Sequence, residues 1–452
     1  MKNNIQLPNL NNCRICIIGL GYVGLPLAIE FSKFKQKKSI NHDVIGYDIN
    51  LKRINELKNN IDSTEESSIE DLMLAKNLKL THNVEDLYTS DVFIVTVPTP
   101  VDNANIPDLK ALKSASKLVG ETLKKRKKNI SKNKLLETQP VIIYESTVYP
   151  GATKEVCIPI IQEASELNVN KDFFYGYSPE RVNPGDKNKK LTSIVKITSG
   201  STEFTSKWID ELYNQIIKVG THRAGSVEIA EAAKIIENVQ RDINIALINE
   251  LSMIFSKLNL DTYEILEASK TKWNFIPFEP GLVGGHCIGI DPYYLKYKAN
   301  LEGLYPQIVS SGRRINENMS FWIADRIITN ISKRNLILNK ATVLCLGITF
   351  KANCPDIRNT KVISLLEKLL EFNIEIDVMD PYVNHEEIKE IKNFNFIQRL
   401  IPEKKYSCVL LAVAHDNFKL IKVNEWKNML AKDGFFFDIK NIIPRELNPV
   451  RI

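Results

Sequence analysis

Short apolar runs alternate with helix-like stretches over roughly the first half of the chain. Six of these runs have the length, and the content of β-branched and aromatic residues, that buried strands need. In chain order they read RICIIG, DVIGYD, DVFIVTV, PVIIYES, FFYGYS and VKITSG, between about Asn12 and Val219. Strands that alternate with helices predict right-handed crossovers and therefore a parallel, doubly wound sheet.

A long helical segment and a second alternating block follow. Residues Ser226–Lys257 contain no Gly or Pro, and their apolar positions recur every three or four residues, which predicts one long helix. Beyond Lys340, the runs TVLCLGI, IEIDVMD, SCVLLAVA and FFFDIK predict a smaller doubly wound domain. The expected fold class is α/β, with two Rossmann-like domains joined by a helical region. We expect the domains to cover residues 1–222, 223–332 and 333–452.

The composition is that of a globular protein with more than one domain. The chain has 452 residues, of which 44% are hydrophobic and 25% charged, and its net charge is +6. Much of the positive excess lies in the segment Lys124–Lys134, which we interpret as a solvated helix end and loop. Aromatic residues are not interleaved with these charges, so we expect no nucleic-acid partner.

Several features predict a cytoplasmic protein. The first residues are polar, and no run of about 18 apolar residues occurs, so we expect neither a signal peptide nor a membrane span. Seven cysteines are an odd number for a disulfide framework and indicate a reducing compartment. Cys13 and Cys16 lie in an apolar strand-like run, where core packing is expected. No set of Cys and His has zinc-ligand spacing, and we expect no metal.

A glycine-rich loop, GLGYVG, follows the first predicted strand and opens a helix. Gly19 would allow the tight turn, Gly21 the approach of a pyrophosphate, and Gly24 the close packing of helix on strand. Tyr22 and Val23 complete the loop, and the helix N-terminus would face the phosphate charge. A lone G-x-G-x-x-G is a weak signal, but the strand and helix on either side of it make this a predicted dinucleotide site.

The second and fourth predicted strands end in further candidate cofactor residues. Asp48 ends the second strand, where a carboxylate accepts hydrogen bonds from the adenosine ribose and favours NAD⁺ over NADP⁺. Arg53, one helical turn later, would soften that preference. Thr99 follows the fourth strand at the carboxyl edge of the sheet, where ligands bind in such folds.

The segment GLVGGHCIGIDP carries the candidate chemistry. Four glycines surround Cys287, so backbone can come close to a substrate, and such a loop is an unusual place for a structural cysteine. Asp291 lies four residues later and would share a face with Cys287 if a helix begins here. We therefore interpret Cys287 as a nucleophile. His286 is its neighbour in sequence, so its side chain is expected to point elsewhere.

Lys234 and Asn238 form a second candidate constellation. They are four residues apart in the predicted long helix and therefore share a face. If that face is buried, an ammonium and an amide that point the same way could stabilise an oxyanion. A solvated lysine is an equally good interpretation of Lys234 when the helix is considered alone.

These residues resemble the UDP-glucose/GDP-mannose dehydrogenase family from Ile15 to about Ile443. Within it the chain looks most like the bacterial UDP-N-acetylglucosamine 6-dehydrogenases of O-antigen and Vi-type capsule synthesis. The segments that carry the resemblance are IIGLGYVGLPLA, VPTP, YESTVYPG, GYSPERVNPGD, AKIIENVQRDINIALINE, KWNFIPFEPGLVGGHCIGIDPYYL, GRRINENM and TFKANCPDIRNT.

The resemblance implies an NAD domain, a helical dimerisation region, a UDP domain and a four-electron oxidation that uses two NAD⁺. It implies that Cys287 traps an aldehyde as a thiohemiacetal, which becomes a thioester that water cleaves. The residues with implied catalytic roles are Cys287, Lys234, Asn238, Asp291, Glu180 and Thr147. Besides Lys234, Asn238 and Glu180, the implied substrate contacts are Arg181, Val182, Gly284, Gly285, Phe350 and Lys351. Thr147 and Arg358 are implied cofactor contacts.

The choice of sugar rests on few residues. Glucose-specific relatives typically carry an apolar residue where this chain has Arg181, and a guanidinium could bind an acetamido carbonyl. A salt bridge is the alternative interpretation of Arg181. Val283 and His286 also stand where glucose-specific enzymes usually carry an aromatic residue and a serine. We therefore predict a UDP-N-acetylhexosamine substrate, and among these sugars we expect UDP-N-acetylglucosamine.

Three alternatives stay open at this point. The same chemistry could act on UDP-N-acetylgalactosamine, UDP-N-acetylmannosamine or UDP-glucose. An ordinary two-electron dehydrogenase would not need Cys287. A nucleotide-sugar sensor would have no use for a nucleophile, and the presence of Cys287, Lys234, Asn238 and Asp291 together argues against it. We also predict a homodimer built on the long helix, because a bridging role would leave some of its apolar positions exposed.

Overall fold

The computed structural model describes residues 5–33, 40–64, 66–129, 138–182, 190–285, 288–383 and 394–452. The chain forms two compact units. Unit 1 contains Met1–Glu237 and Tyr293–Glu302, and unit 2 contains Asn238–Pro292 and Gly303–Ile452. Within the ranges just given, none of the helices combines the length and the apolar character that crossing a membrane requires. The three domain boundaries expected from the sequence stay predictions.

Unit 1 is built on a sheet with eight described strands. They are β1 (Arg14–Ile18), β2 (Asp43–Tyr47), β3 (Leu78–Thr81), β4 (Val92–Val95), β5 (Val141–Tyr144), β6 (Phe174–Tyr177), β7 (Lys196–Gly200) and β8 (Thr221–Arg223). Their spatial order is β3-β2-β1-β4-β5-β6-β7-β8, which begins with the 3-2-1-4-5-6 order of dinucleotide-binding folds. The six strands predicted from the sequence are confirmed.

The sequence predicts a parallel sheet, and the structure departs from this at one pair of strands. β1 to β6 are parallel, but β7 pairs with β6 in the antiparallel direction. A parallel neighbour needs a long crossover, usually a helix. In the described part of the connection, the only helical piece is the 3₁₀ turn Leu191–Ser193. β3 and β8 were not predicted, because they are short and partly polar.

Six helices of unit 1 connect these strands. They are α1 (Gly24–Ser32), α2 (Leu51–Lys58), α3 (Ile69–Leu74), α4 (Lys110–Asn129), α5 (Ile158–Ser165) and α6 (Glu203–Asn214). Side chains of α1 and α6 pack with those of β1 and β4 into one buried core, to which Phe31 and Trp208 belong. Elsewhere in the unit, α4 and α5 cross so closely that a Cβ on Gly120 would lie 2.7 Å from the Cβ of Ala164.

Unit 2 repeats the strand order of unit 1. Its described strands are β9 (Thr342–Leu346), β10 (Glu375–Met379), β11 (Asn395–Phe396), β12 (Tyr406–Leu411), β13 (Leu430–Asp438) and β14 (Val450–Arg451). They follow the order β11-β10-β9-β12-β13-β14, and every pair is parallel. The second predicted doubly wound block is therefore confirmed, with β11 and β14 as short additions at its edges.

The helices that remain include the longest in the chain. They are α7 (Val227–Lys257), α8 (Thr262–Lys270), α9 (Asp291–Leu301), α10 (Gln307–Lys333), α11 (Lys361–Leu370) and the short helices Asp416–Lys419 and Val423–Lys427. α7 confirms the predicted long helix. In unit 2, α10 and α11 share an apolar core with β9 and β12, which includes Met319, Ile323 and Leu365.

α7 buries several polar side chains and also leaves several apolar ones exposed. Its buried side carries apolar residues such as Ile235 and Val239 together with polar residues, namely Glu231, Lys234, Asn238, Asp242 and Asn249. Its exposed side carries an apolar stripe, namely Ile229, Ile236, Leu247 and Ile254, each between 47% and 62% exposed. At 100° per residue, the polar set and the apolar stripe lie about 160° apart around the helix.

Candidate active site

The glycine loop of unit 1 has the backbone geometry that its sequence predicts. Gly19 has φ +96°, and its N–H donates to the carbonyl of Tyr47 on the neighbouring strand at 2.9 Å. A Cβ on Gly24 would overlap the carbonyl oxygen of Gly19 and the hydroxyl of Thr96. The tight turn and the close approach of α1 therefore require glycine at these two positions.

The loop has an open side and an acidic side. A Cβ on Gly21 would meet nothing within 4 Å, so space remains there for a pyrophosphate. The Asp48 carboxylate accepts hydrogen bonds from the N–H groups of Leu20 at 2.9 Å and Asn50 at 2.8 Å. An acid at the end of β2 and a glycine turn at the end of β1 are therefore held together, which fits an adenine dinucleotide.

Arg53 is engaged within unit 1. Its Nε donates to the carbonyl of Leu20 at 2.9 Å, and its terminal nitrogens bind Asp62 at 2.7 Å and Ser63 at 3.0 Å. The residue is 7% exposed. In this arrangement Arg53 braces the glycine loop from behind, and a direct contact between Arg53 and cofactor stays a prediction.

Asp48→Ala is expected to raise the KM for NAD⁺ by about tenfold or more, with a smaller change in kcat. The reason is the loss of hydrogen bonds to a charged acceptor, worth about 1.5–3 kcal/mol. Steady-state kinetics with NAD⁺ and NADP⁺ would measure it. Asp43→Ala, at the exposed start of the same strand, is the control. An unchanged KM for NAD⁺ in Asp48→Ala would contradict the assignment.

Thr99 is held by a tyrosine that the sequence did not single out. The hydroxyl of Tyr294, a buried residue of α9, donates to the carbonyl oxygens of Thr99 at 2.9 Å and Pro100 at 3.2 Å. This contact fixes the turn that follows β4, at the carboxyl edge of the sheet. Its sequence signal is weak, because Tyr294 is 195 residues from Thr99.

Thr147 lies in the loop after β5, which is fixed at both ends. On one side the Ser146 hydroxyl donates to the carbonyl of Val97 at 2.6 Å. On the other, Glu231 of α7 accepts from the N–H groups of Gly151 at 2.6 Å and Thr153 at 3.0 Å. Burial raises the pKa of Glu231 to about 7. The loop of Thr147 is thus tied to the helix that carries Lys234.

Glu180 follows β6 and is 7% exposed. Its Oε1 accepts from the backbone N–H groups of Arg181 at 2.6 Å and Val182 at 2.5 Å. Its Oε2 is 3.9 Å from the Nζ of Lys196. Amide donors and a cation therefore hold this carboxylate in one orientation, and Lys196 is a residue that the sequence analysis missed.

Arg181 forms a salt bridge in unit 1. Its Nη2 is 2.6 Å from Oε1 of Glu237, its Nε is 3.3 Å from Oε2, and its Nη1 donates to the carbonyl of Val195 at 3.0 Å. The salt bridge, which was the alternative interpretation, is present. The side chain remains 29% exposed, so a further acceptor such as an acetamido oxygen is compatible with it.

Lys234 and Asn238 both lie on the buried side of α7, one turn apart. Each is 7% exposed, in unit 1 and unit 2 respectively. Within unit 2 the amide of Asn238 donates to Oδ2 of Asp291 at 2.6 Å, and Asp291 is 2% exposed. Asn238 and Asp291, two of the predicted catalytic residues, therefore lie in direct contact although 53 positions separate them.

The described glycines of the predicted nucleophile loop pack tightly within unit 2. A Cβ on Gly284 would lie 2.6 Å from the carbonyl oxygen of Asn359, and one on Gly285, whose φ is +82°, would lie 2.8 Å from the Phe350 ring. Glycine is therefore required for the close approach to Phe350. Cys287 and His286 lie outside the described residues.

The other two residues predicted from TFKANCPDIRNT also lie in unit 2. The backbone carbonyl of Lys351 accepts from the hydroxyl of Thr349 at 3.0 Å, which shapes the turn after β9. Arg358 pairs with Asp356 at 2.7 Å, and its side chain is 62% exposed. Contacts of Lys351 with substrate and of Arg358 with cofactor stay predictions.

Two sheets in dinucleotide-binding order, with a glycine turn and an acid at the first, define the class of Rossmann-type dehydrogenases. Comparison with known proteins agrees. Residues 13–217, 228–318 and 344–445 match the NAD binding, central and UDP binding domains of the UDP-glucose/GDP-mannose dehydrogenase family. The chain belongs to this family.

Individual relatives cover almost the whole chain. A UDP-N-acetyl-D-glucosamine 6-dehydrogenase from Pseudomonas aeruginosa is 45% identical, over 98% of this chain and 100% of the relative. One from Salmonella typhi is 44% identical, over 98% and 99%. Among solved structures, a UDP-D-ManNAc dehydrogenase from Pyrococcus horikoshii has a TM-score of 0.80 and 28% identity, over 95% of this chain and 96% of that one.

Proposed function

We propose that this protein oxidises the C6 alcohol of UDP-N-acetylglucosamine to the carboxylate of UDP-N-acetylglucosaminuronic acid. The observation that carries the proposal is the contact of Asn238 with Asp291, both of which are buried. Relatives with 45% and 44% identity that act on this sugar support the choice of substrate. NAD⁺ is the hydride acceptor in both oxidation steps.

Cys287 provides the covalent step. After the alcohol becomes an aldehyde, the Cys287 sulfur bonds to C6 and the carbonyl oxygen takes a proton, which gives a thiohemiacetal. Loss of a hydride and a proton from this group gives a thioester. Covalent capture prevents escape of the aldehyde and makes the second oxidation possible, since a bare aldehyde is a poor hydride donor.

Lys234 and Asn238 stabilise the negative charge that develops on the C6 oxygen in these steps. Both side chains are almost fully buried, and donors aimed at a developing charge act most strongly where water is excluded. Asp291 holds the Asn238 amide through its 2.6 Å hydrogen bond, so the amide is oriented before substrate binds. By resemblance to the family, the Asp291 carboxylate also acts close to the Cys287 thiolate.

Glu180 and Thr147 act on water in the last step. Water adds to the thioester carbon and gives a proton to the Glu180 carboxylate, and the carbon–sulfur bond breaks to restore the Cys287 thiolate. The two backbone donors to Oε1 of Glu180 keep the carboxylate in the orientation that a general base needs. Thr147 positions the water.

The proposal is tested with purified protein, NAD⁺ and four UDP-activated sugars: N-acetylglucosamine, N-acetylgalactosamine, N-acetylmannosamine and glucose. We expect N-acetylglucosamine to have the highest kcat/KM and to release two NADH per sugar. One NADH per sugar would contradict the thioester route. A preference for one of the other three sugars would leave the thioester route intact and would contradict UDP-N-acetylglucosamine as the substrate.

Arg181→Leu is expected to lower the ratio of kcat/KM for UDP-N-acetylglucosamine over UDP-glucose by about tenfold, because a hydrogen bond to the acetamido oxygen is lost. The ratio is used because a general loss of activity cancels in it. Arg223→Leu removes another partly exposed arginine that is paired with a glutamate, and should leave the ratio unchanged. An unchanged ratio in Arg181→Leu would mean that Arg181 only forms its salt bridge with Glu237 and does not recognise the acetamido group.

We also propose a homodimer in which the apolar stripe of α7 is covered by the partner. The stripe consists of Ile229, Ile236, Leu247 and Ile254, and its half-exposed isoleucines and leucine would otherwise face water. The opposite side of the helix already buries polar groups, so the apolar side is the one available for association. The cytoplasm is the proposed location, and the proposed product is a precursor of a surface polysaccharide.

Ile236→Glu combined with Leu247→Glu is expected to convert a dimer into a monomer, because two charges would be buried in the interface. Light scattering at micromolar concentration measures the mass. Leu420→Glu, at an 80% exposed leucine of unit 2, is the matched control and should leave the mass unchanged. A wild-type protein that is monomeric at this concentration would contradict the dimer.

A further inference from the structure

A buried ion pair lies directly behind Glu180 in unit 1. Lys196 of β7 and Glu145, which follows β5, are 2% and 1% exposed, and Nζ of Lys196 is 2.5 Å from Oε2 of Glu145. Buried pairs seldom stabilise a fold more than apolar side chains of similar volume would. The fold therefore gives no sufficient reason for this pair.

Two further contacts of Lys196 lead to Glu180. Its Nζ donates to the carbonyl oxygen of Pro179, the preceding residue, at 3.0 Å. The same nitrogen is 3.9 Å from Oε2 of Glu180. One ammonium group thus touches the backbone and faces the carboxylate of the residue proposed to handle water.

The other groups around the pair are few among the described residues. The hydroxyl of Tyr213, on α6, donates to Oε1 of Glu145, and the Tyr213 ring lies 5.4 Å from the Lys196 ammonium. The titratable groups that face Lys196 are thus Glu145 from the segment after β5, Glu180 from the segment after β6, and Tyr213 from α6. Burial raises the pKa of Glu145 to about 7, against the attraction of Lys196.

We propose that Lys196 is a positioning residue for Glu180. It holds the Pro179–Glu180 backbone through the Pro179 carbonyl and places a positive charge beside the ionised Glu180 carboxylate. Glu145 keeps the ammonium in place, and Tyr213 keeps Glu145 in place. The inference rests on the proposed function, in which Glu180 acts on water.

The test is the pH profile of kcat in the double variant Glu145→Gln with Lys196→Met, which removes both charges and leaves neither one buried alone. A cation within about 4 Å favours the ionised form of a carboxylate by one to three pH units. We take the lower end of that range and expect the acidic limb of the kcat profile to move up by about one pH unit. At a pH one unit below the midpoint of the wild-type acidic limb, kcat should fall about tenfold relative to wild type, and at pH 9 it should recover to within about threefold, with each KM within about twofold of wild type.

Two controls separate positioning from a structural role. Tyr213→Phe loosens the same cluster without removing the Lys196 charge, and should lower the thermal midpoint but leave the acidic limb in place. Lys196→Arg keeps the positive charge, so the acidic limb of its kcat profile should stay at the same pH as in wild type. If the double variant does not fold, Lys196→Arg becomes the test. An acidic limb of the kcat profile that moves in Lys196→Arg would then overturn the inference.

Two results in the double variant would overturn the inference. One is a normalised profile that superimposes on wild type, and the other is a kcat lowered by the same factor at every pH. In either case, a wild type that still releases two NADH per sugar would leave the proposed function intact. A wild type that does not oxidise any UDP-sugar would overturn both.

Discussion

Cys287→Ala is expected to lower the rate of UDP-sugar-dependent NADH formation by about 10³-fold or more, since removal of a covalent nucleophile has among the largest effects of any single substitution. Any residual reaction should stop at the aldehyde and give one NADH per sugar. The variant should bind NAD⁺ as wild type does. The measurement is NADH released per sugar consumed, together with single-turnover rates.

The other cysteines cannot replace Cys287. Cys13, Cys16, Cys157, Cys345, Cys354 and Cys408 are all buried and free. Burial raises the pKa of the Cys157 thiol to about 12, and it also raises those of Cys13, Cys16, Cys345 and Cys408. Such thiols do not supply the thiolate that attacks a carbonyl.

The matched control for Cys287→Ala is Cys157→Ala. It removes a thiol from the core beside α5, so a lower thermal midpoint with wild-type stoichiometry is expected. Full activity of Cys287→Ala with two NADH per sugar would exclude the thioester route. It would favour an ordinary dehydrogenase that acts twice without a covalent intermediate.

Lys234→Met is expected to lower kcat by about 10²–10³-fold, because loss of one oxyanion donor has an effect of this size. Methionine retains most of the side-chain volume, so the buried side of α7 should still pack. KM for the sugar should change far less than kcat, since the charge on the C6 oxygen develops only as reaction proceeds.

Lys257→Met is the control for Lys234→Met. It removes an exposed lysine from the end of the same helix and should leave kcat unchanged. Equal decreases in the two variants would indicate a general effect on α7. A change in KM alone for Lys234→Met would make Lys234 a binding residue that contributes equally to substrate and transition state.

Local motifs were predictable because their parts are neighbours in sequence. The turn at Gly19, the helix that begins at Gly24 and the acid at Asp48 all belong to one strand–helix–strand unit, and the structure has them in that arrangement. The long helix was predictable for the same reason, since its period is a property of consecutive residues.

Contacts between distant segments were not predictable in the same way. Lys196 and Glu145 are 51 positions apart, and the sequence contains no rule that pairs them. Their signal is a single lysine in an otherwise uncharged strand, VKITSG, which could equally have faced water. The direction of that strand was wrongly predicted as well, because a strand that is buried on both faces, as this one is, does not show its direction in its residue pattern.

The apolar stripe of α7 has a consequence for how stability depends on protein concentration. A single chain leaves the four large apolar side chains of this stripe half-exposed to water. If a second copy covers them, association contributes to the free energy of unfolding through mass action. The melting temperature should then rise with protein concentration, and an enzyme diluted for an assay could lose activity with time although every catalytic residue is intact.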